Sequence, residues 1–253
     1  KLSQTSNNIF LNEKLLARVK SIYDKKEQLN LSTEDAKLLE DLYESFKANG
    51  ATLNKDDKEK YRKLSMDLSM LTLQFDQNAL KDKNRFELLI TDENELSGLP
   101  ESARDAAAML AKSKDKNGWL FNLSAPSYIP FMRYSDKRDL REKMYREYMS
   151  VGNKGDEFDN KDIIKKIVNI RLEIAQLMGF KNYAEYALEH TMAKNSANVY
   201  KLLNQLLEAY KPIAINEYNA VEGFALGTEK ENITVMPWDW SYYSNKLKDK
   251  KFN

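Results

Sequence analysis

One histidine, His190, and no cysteine occur in 253 residues. Zinc held by H-E-x-x-H needs two imidazoles one helical turn apart, with the glutamate between them as base. A single histidine cannot supply it. The inverted motif H-x-x-E-H is approached at Glu189-His190, but Tyr186 stands where its first histidine belongs, and the pattern fails. With one imidazole and no thiol, neither a cysteine nucleophile nor a Ser-His-Asp set can be assembled. His190 therefore reads as a structural or surface histidine. Ser113, Asp115, Asn117 and Gly118 resemble the first half of a calcium loop, but the bidentate acid such a loop needs at its last position would be Ser124. They read better as a polar turn. Asp156, Glu157, Asp159 and Asp162 could attract a cation, although acids at a helix start are ordinary. Neither G-x-x-x-x-G-K nor G-x-G-x-x-G occurs. Trp238, Trp240, Tyr242 and Tyr243 crowd six residues; aromatics bury large areas, so they read as core rather than as a ligand site. Lys246, Lys248, Lys250 and Lys251 follow as a solvated helix end, where the helix dipole favours cations. No catalytic residue and no metal ligand is expected in this chain, and no substrate-binding residue can be named from it.

Composition narrows the classes further. Lys and Arg number 40 against 39 Asp and Glu, a net charge of +1, which disfavours a nucleic-acid binder of the basic-patch kind. No apolar run approaches membrane-spanning length, so no membrane partner is expected. Lack of cysteine excludes disulfides but fits cytoplasm and periplasm alike. The chain begins at Lys1, without a signal-like apolar segment, and an upstream targeting segment could have preceded it.

The elements that would carry these residues are mostly helical. Only 8 Gly and 5 Pro are spread over the chain, too few to punctuate many short strands. Residues 12–29 carry Leu15, Val19, Ile22 and Leu29 at helical spacing, with Asn12 as cap. Ser32 caps a second helix whose face is Leu38, Leu42 and Phe46 and whose stop is Gly50. From Asn54 or Asp56 to about residue 83, the spacing of Tyr61, Leu64, Leu68, Leu71 and Phe75 predicts a long helix lying along a neighbour. The period then changes. Residues 85–91 and 119–124 read as short strands that pair across an intervening helix beginning at Pro100, with Asn117-Gly118 as a turn. Pro126 and Pro130 bracket a helical turn, and Asp136 caps a helix over 137–149. Gly152 to Asp156 is the clearest loop and a candidate subdivision of the chain. Asn160 caps a helix with Ile163, Ile167, Ile170, Ile174 and Leu177 on one face, ended by Gly179. A short helix covers 182–191. Ser196 opens another long one carrying Val199, Leu203, Leu206, Tyr210 and Ile213, kinked at Pro212 and closed by Gly227 and the segment 228–232. Pro237 begins the last helix. No repeat of about 34 residues is present, which disfavours a tetratricopeptide array. The fold class expected is mainly α, with one two-stranded β element.

Several stretches together resemble one family: LLITDENELSGLPESA (88–103), WLFNLSAPSYIPFMRYSDKRDLREKMYREY (119–148), IRLEIAQLMGFKNYAEYALEHTMAKN (170–195) and VMPWDWSYYSNKLKDKKF (235–252). Their order and spacing are similar to the thimet-oligopeptidase-like zinc metallopeptidases, and within them to the peptidyl-dipeptidase branch, from about Asn12 onward. The resemblance implies long antiparallel helices of a two-lobed scaffold around a deep channel. It also implies zinc on H-E-x-x-H plus a further glutamate, and removal of C-terminal dipeptides from short unfolded peptides. The zinc motif of that family lies beyond its PWDW-like stretch, and this chain stops at Asn253, so no metal or base residue carries over. On that reading residues 1–253 are the helical scaffold of a larger peptidase. They form a wall of the substrate channel, lack the catalytic zinc domain and are inactive alone, with zinc needed only in the intact protein. The missing lobe would be a partner, and the apolar surface left by its absence predicts self-association. A free-standing helical module that binds peptides or partner helices is the alternative.

Overall fold

The computed structural model describes residues 2–228 and 233–252. In chain order the first helices are α1 (Leu2–Phe10), α2 (Glu13–Tyr23), α3 (Thr33–Ala48) and α4 (Lys55–Arg85). A strand, β1 (Leu88–Ile90), is followed by α5 (Glu101–Ser113) and β2 (Trp119–Phe121). Then come α6 (Ala125–Tyr134), α7 (Arg138–Met149), α8 (Lys161–Leu177), α9 (Tyr183–Leu188), α10 (Ser196–Thr228) and α11 (Trp240–Phe252). The mainly helical class with one small sheet is as expected. The chain forms two compact units, Lys1–Phe75 with Asp162–Lys201, and Asp76–Lys161 with Leu202–Asn253.

In the first unit the caps fall where the sequence puts them. Asn12, Ser32 and Asn182 each accept a backbone N–H three residues on, from Leu15, Asp35 and Glu185. Such a cap removes one unsatisfied donor of the first turn and contributes about 1 kcal/mol. The apolar faces of α2 and α3 differ from expectation. Val19 is buried with Leu16 and Tyr23, and Phe46 with Leu39 and Tyr43, while Leu15, Ile22, Leu38 and Leu42 face solvent. Both helices offer two overlapping apolar stripes, and the one carrying aromatics wins because it buries more area. Helix α2 also stops at Tyr23, with a 3₁₀ turn at Lys26–Gln28, instead of running to residue 29. Gly50 ends the turn after α3 at φ +81°, and Ala51 N–H returns to the carbonyl of Phe46, an arrangement that satisfies the last carbonyls. A second core joins Leu11, Tyr61, Leu64 and Ile174, flanked by Ile170 and Leu177. The seams expected on α4 and α8 supply it. The Tyr186 hydroxyl donates to the carbonyl of Ala48 at 2.7 Å.

In the second unit β1 and β2 pair antiparallel, with Leu88 opposite Phe121 and Ile90 opposite Trp119. Both strands are shorter than expected. Arg85 is the last residue of α4, and Asn122 has already left the ladder: its side chain accepts from Ser124 while its N–H donates to Ser127 Oγ. Gly118 enters β2 at φ +110°, and a Cβ there would lie 2.3 Å from the carbonyl oxygen of Ile90. Gly118→Ala is expected to cost at least about 2 kcal/mol, from the left-handed backbone together with the clash. Urea unfolding followed by tryptophan emission would measure it.

The sheet lies on the main core of this unit, where Leu88, Ile90, Leu123, Phe131, Met144 and Trp238 are buried together and Phe121 meets Phe131 edge-on at 4.8 Å. Helix α6 runs through Pro130 instead of ending at a turn. The N–H that Pro130 lacks would have bonded the carbonyl of Pro126 in the first turn, so one missing bond does not stop so short a helix. Helix α7 starts at Arg138 with no side-chain cap; Asp136, expected to cap it, is engaged elsewhere. Helix α10 is continuous through Pro212, and the rest of its expected closing segment, 229–232, lies outside the described residues. Helix α11 begins at Trp240, not at Pro237, which sits in the turn before it.

Candidate functional site

The densest polar construction in the second unit surrounds the turn Pro237–Asp239. Asp239 is fully buried. Its carboxylate receives Arg141 Nη2 at 2.8 Å, Arg138 Nη2 at 2.7 Å, Arg138 Nε at 3.1 Å and the N–H of Met236 at 3.1 Å. Its carbonyl accepts from the N–H of Tyr243, which starts α11. That contact shows why Pro237 does not open the helix: the capping group is Asp239, two residues on. Arg141, 1% exposed, also donates to the carbonyls of Ser135 at 2.7 Å and Trp238 at 3.3 Å, and its guanidinium lies 4.0 Å from the centre of the Tyr242 ring. Arg138 reaches the carbonyl of Thr234 at 3.0 Å.

Asp136 extends this network. It accepts Tyr242 OH at 2.6 Å, Ser97 Oγ at 2.7 Å and Lys246 Nζ at 3.2 Å. Lys246 is thus held by a carboxylate, while Lys250 sits over the Phe224 ring at 5.5 Å. Burial alone would raise the Asp239 carboxyl, but the donors from Arg138 and Arg141 outweigh it and leave it below the usual carboxylate range. Asp136 is likewise pushed up by burial and brought below its ordinary value by Tyr242, Ser97 and Lys246.

Chemically this is a clamp. Both Asp239 oxygens are saturated by charged or backbone donors, and an ionised, fully solvated-by-protein carboxylate is neither a general base nor an available metal ligand. Trp238, Tyr242 and Tyr243 are buried, as core residues would be. Trp240 is the exception, partly exposed and stacked on Tyr218 at 5.9 Å.

A second clamp holds the Gly152–Asp156 loop. Asp82, fully buried, accepts Arg85 Nε and the Gly152 N–H, each at 2.7 Å, and Lys154 Nζ at 3.3 Å. Asp156 pairs with Arg85. Asp159 takes the backbone N–H of Gly155 and of Lys161 and pairs with the Lys161 side chain, which holds its carboxyl at about 2. These acids are committed to local partners instead of converging on a cation. Asp82→Asn is expected to lose about 1–3 kcal/mol, less than a sealed pair would, because Arg85 and Lys154 keep contact with water. Chemical denaturation of the variant would give the figure.

His190 is exposed in the first unit, its Nε2 3.3 Å from Glu189 and 4.0 Å from Glu44. Among the described residues no three His, Asp or Glu side chains come together as a zinc ion would require. Asp115 at φ +54° and Gly118 form a turn ahead of β2. Sequence reasoning missed the Arg138–Arg141–Asp239 set entirely. The signal available was a pair of arginines three apart, one helical turn, on an otherwise amphipathic helix.

Residues 131–253, which contain this clamp, match the family model Peptidase family M3. Oligopeptidase A of Salmonella typhimurium is 35% identical over 254 residues, an alignment covering 98% of this chain and 37% of that protein. Oligopeptidase A of Haemophilus influenzae is 37% identical, covering 86% of this chain and 32% of that protein. Dipeptidyl carboxypeptidase of Escherichia coli is 29% identical over the whole chain and 37% of its own length. The chain belongs to peptidase family M3, and it spans about a third of the length of these curated relatives. Of the relatives bearing the two names, the oligopeptidase A proteins match at the higher identity, so membership of the family does not carry the peptidyl-dipeptidase branch with it.

Proposed function

We propose that these residues are the helical scaffold of a zinc-dependent M3 metallopeptidase that acts on short unfolded peptides, and that they form part of the wall of its substrate channel. The observation that carries this reading is an alignment over 98% of the chain that takes up only 37% of an oligopeptidase A. The catalytic metal and its base are assigned to another part of the whole protein, and no step of peptide hydrolysis is assigned to a residue of this chain. Removal of C-terminal dipeptides is the finer form of the proposal. Its support is the match to dipeptidyl carboxypeptidases over 99–100% of the chain; the higher identity to oligopeptidase A weighs against it.

The reading frame beyond Asn253 is expected to encode H-E-x-x-H, and a frame without that motif sinks the proposal. The whole protein should bind one zinc and cleave short peptides. The 253-residue polypeptide should bind no stoichiometric zinc and release no product. Mass spectrometry of the products from an unstructured decapeptide decides the finer point: successive loss of C-terminal dipeptides supports the peptidyl-dipeptidase form, and internal cuts support the oligopeptidase form.

A further inference from the structure

Helix α10 is built for an interior it does not have. Every residue from Lys201 to Ala220 is exposed, yet Leu202, Leu203, Leu206, Leu207, Tyr210 and Ile213 fall in that stretch, each 42–61% exposed. At about 100° per residue, the apolar residues from Leu202 round to Leu207 subtend about 140° of the helix. Lys201, Gln205, Glu208 and Asn219 lie on the opposite side. A surface helix needs a stripe of only about 100° to face one core. The C-terminal part of the same helix shows the contrast, since Val221 and Ala225 are buried against Val235, Tyr242 and Tyr243.

We infer that this stripe is covered by apolar helix faces from the remaining polypeptide of the same M3 protein; this rests on the proposed function above. Two observations choose that occupant. The stripe is too wide for one neighbouring helix, and an isologous contact between two copies of α10 would lay a single helix along it. The relatives that align with nearly all of this chain carry most of their length outside the alignment, which is enough polypeptide to supply several helices. Charge steering is a minor factor, because Glu217 is the one charged residue on that face between Leu202 and Ala220.

The test uses single cysteines in the whole protein, read peptide by peptide with a small thiol reagent. Ala214→Cys and Leu206→Cys lie on the stripe, the first a mild change that should fold; Gln205→Cys and Glu208→Cys lie opposite. Labelling of the stripe cysteines is expected to be at least about 100-fold slower in the native protein than in urea, with the opposite pair slowed less than about tenfold. Equal rates on both sides overturn the inference, as they would if the stripe lined an open channel. Protection that disappears on dilution to monomer overturns it in favour of a second copy. Protection in a protein without H-E-x-x-H leaves the inference standing and removes the peptidase reading; labelling of the stripe in an active zinc enzyme does the reverse.

Discussion

Asp239→Asn is expected to destabilise the second unit by about 3–5 kcal/mol, because it leaves Arg141 as an uncompensated charge with 1% of its surface exposed. The amide keeps the size of the carboxylate and part of its hydrogen bonding, so the loss reports charge more than shape. All three tryptophans, Trp119, Trp238 and Trp240, lie in this unit, and urea unfolding followed by their emission reads it directly. The double variant Arg141→Met/Asp239→Asn should recover most of the loss, since a buried pair replaced as a pair is often close to neutral. Additive losses would mean that the pair is not coupled. The sign with pH follows from the depressed carboxyls of Asp239 and Asp136. Their contribution is complete above the ordinary value of 3.8 and is lost as pH falls through the lower folded values. Wild type should therefore lose tryptophan-detected stability steeply below about pH 4, and Asp239→Asn should show a shallower acid limb.

Phe46→Ala should cost about 3–5 kcal/mol in the first unit. Phe46 is 1% exposed and meets Phe10 edge-on at 5.3 Å, in a core whose other buried members, Val19, Leu39 and Ala51, are smaller. No comparable side chain is at hand to fill the void. No tryptophan lies in this unit, so hydrogen exchange of the α2 and α3 amides is the suitable measurement. Unchanged protection there would show that the cluster contributes little to stability.

Much of this fold can be read from residue types. Asn12, Ser32 and Asn182 act as caps, Gly50 and Gly179 sit at positive φ where helices stop, and residues 88–90 and 119–121 pair as expected. These features are local: each needs only a side chain and the backbone a few residues away. What misleads is the choice between competing faces, as on α2 and α3, where neighbours distant in sequence decide which stripe is buried. Asp136 shows the same effect. It stands where a cap belongs, yet Tyr242 and Lys246, more than a hundred residues on, take its oxygens. The Asp239 clamp was illegible for that reason, because Arg138 and Asp239 are separated by α8, α9 and α10.

The two units are interleaved in the chain: the stretch Asp76–Lys161 is inserted between the two segments that make the first unit. Tyr186 bonded to Ala48 is one closure of that long excursion. Ile174 packed with Leu11 and Tyr61 is another. On a ribosome, the N-terminal helices would leave the tunnel long before α8 and α9 exist to complete their core. They must wait, partly formed, while the insertion is synthesised. Each contact made late also pays the entropy of closing a long loop, so folding of the first unit is expected to be slow and governed by chain topology. Refolding of a chain in which residues 76–161 are deleted, Phe75 is joined to Asp162 and the sequence ends at Lys201 would test how much of that delay belongs to the insertion.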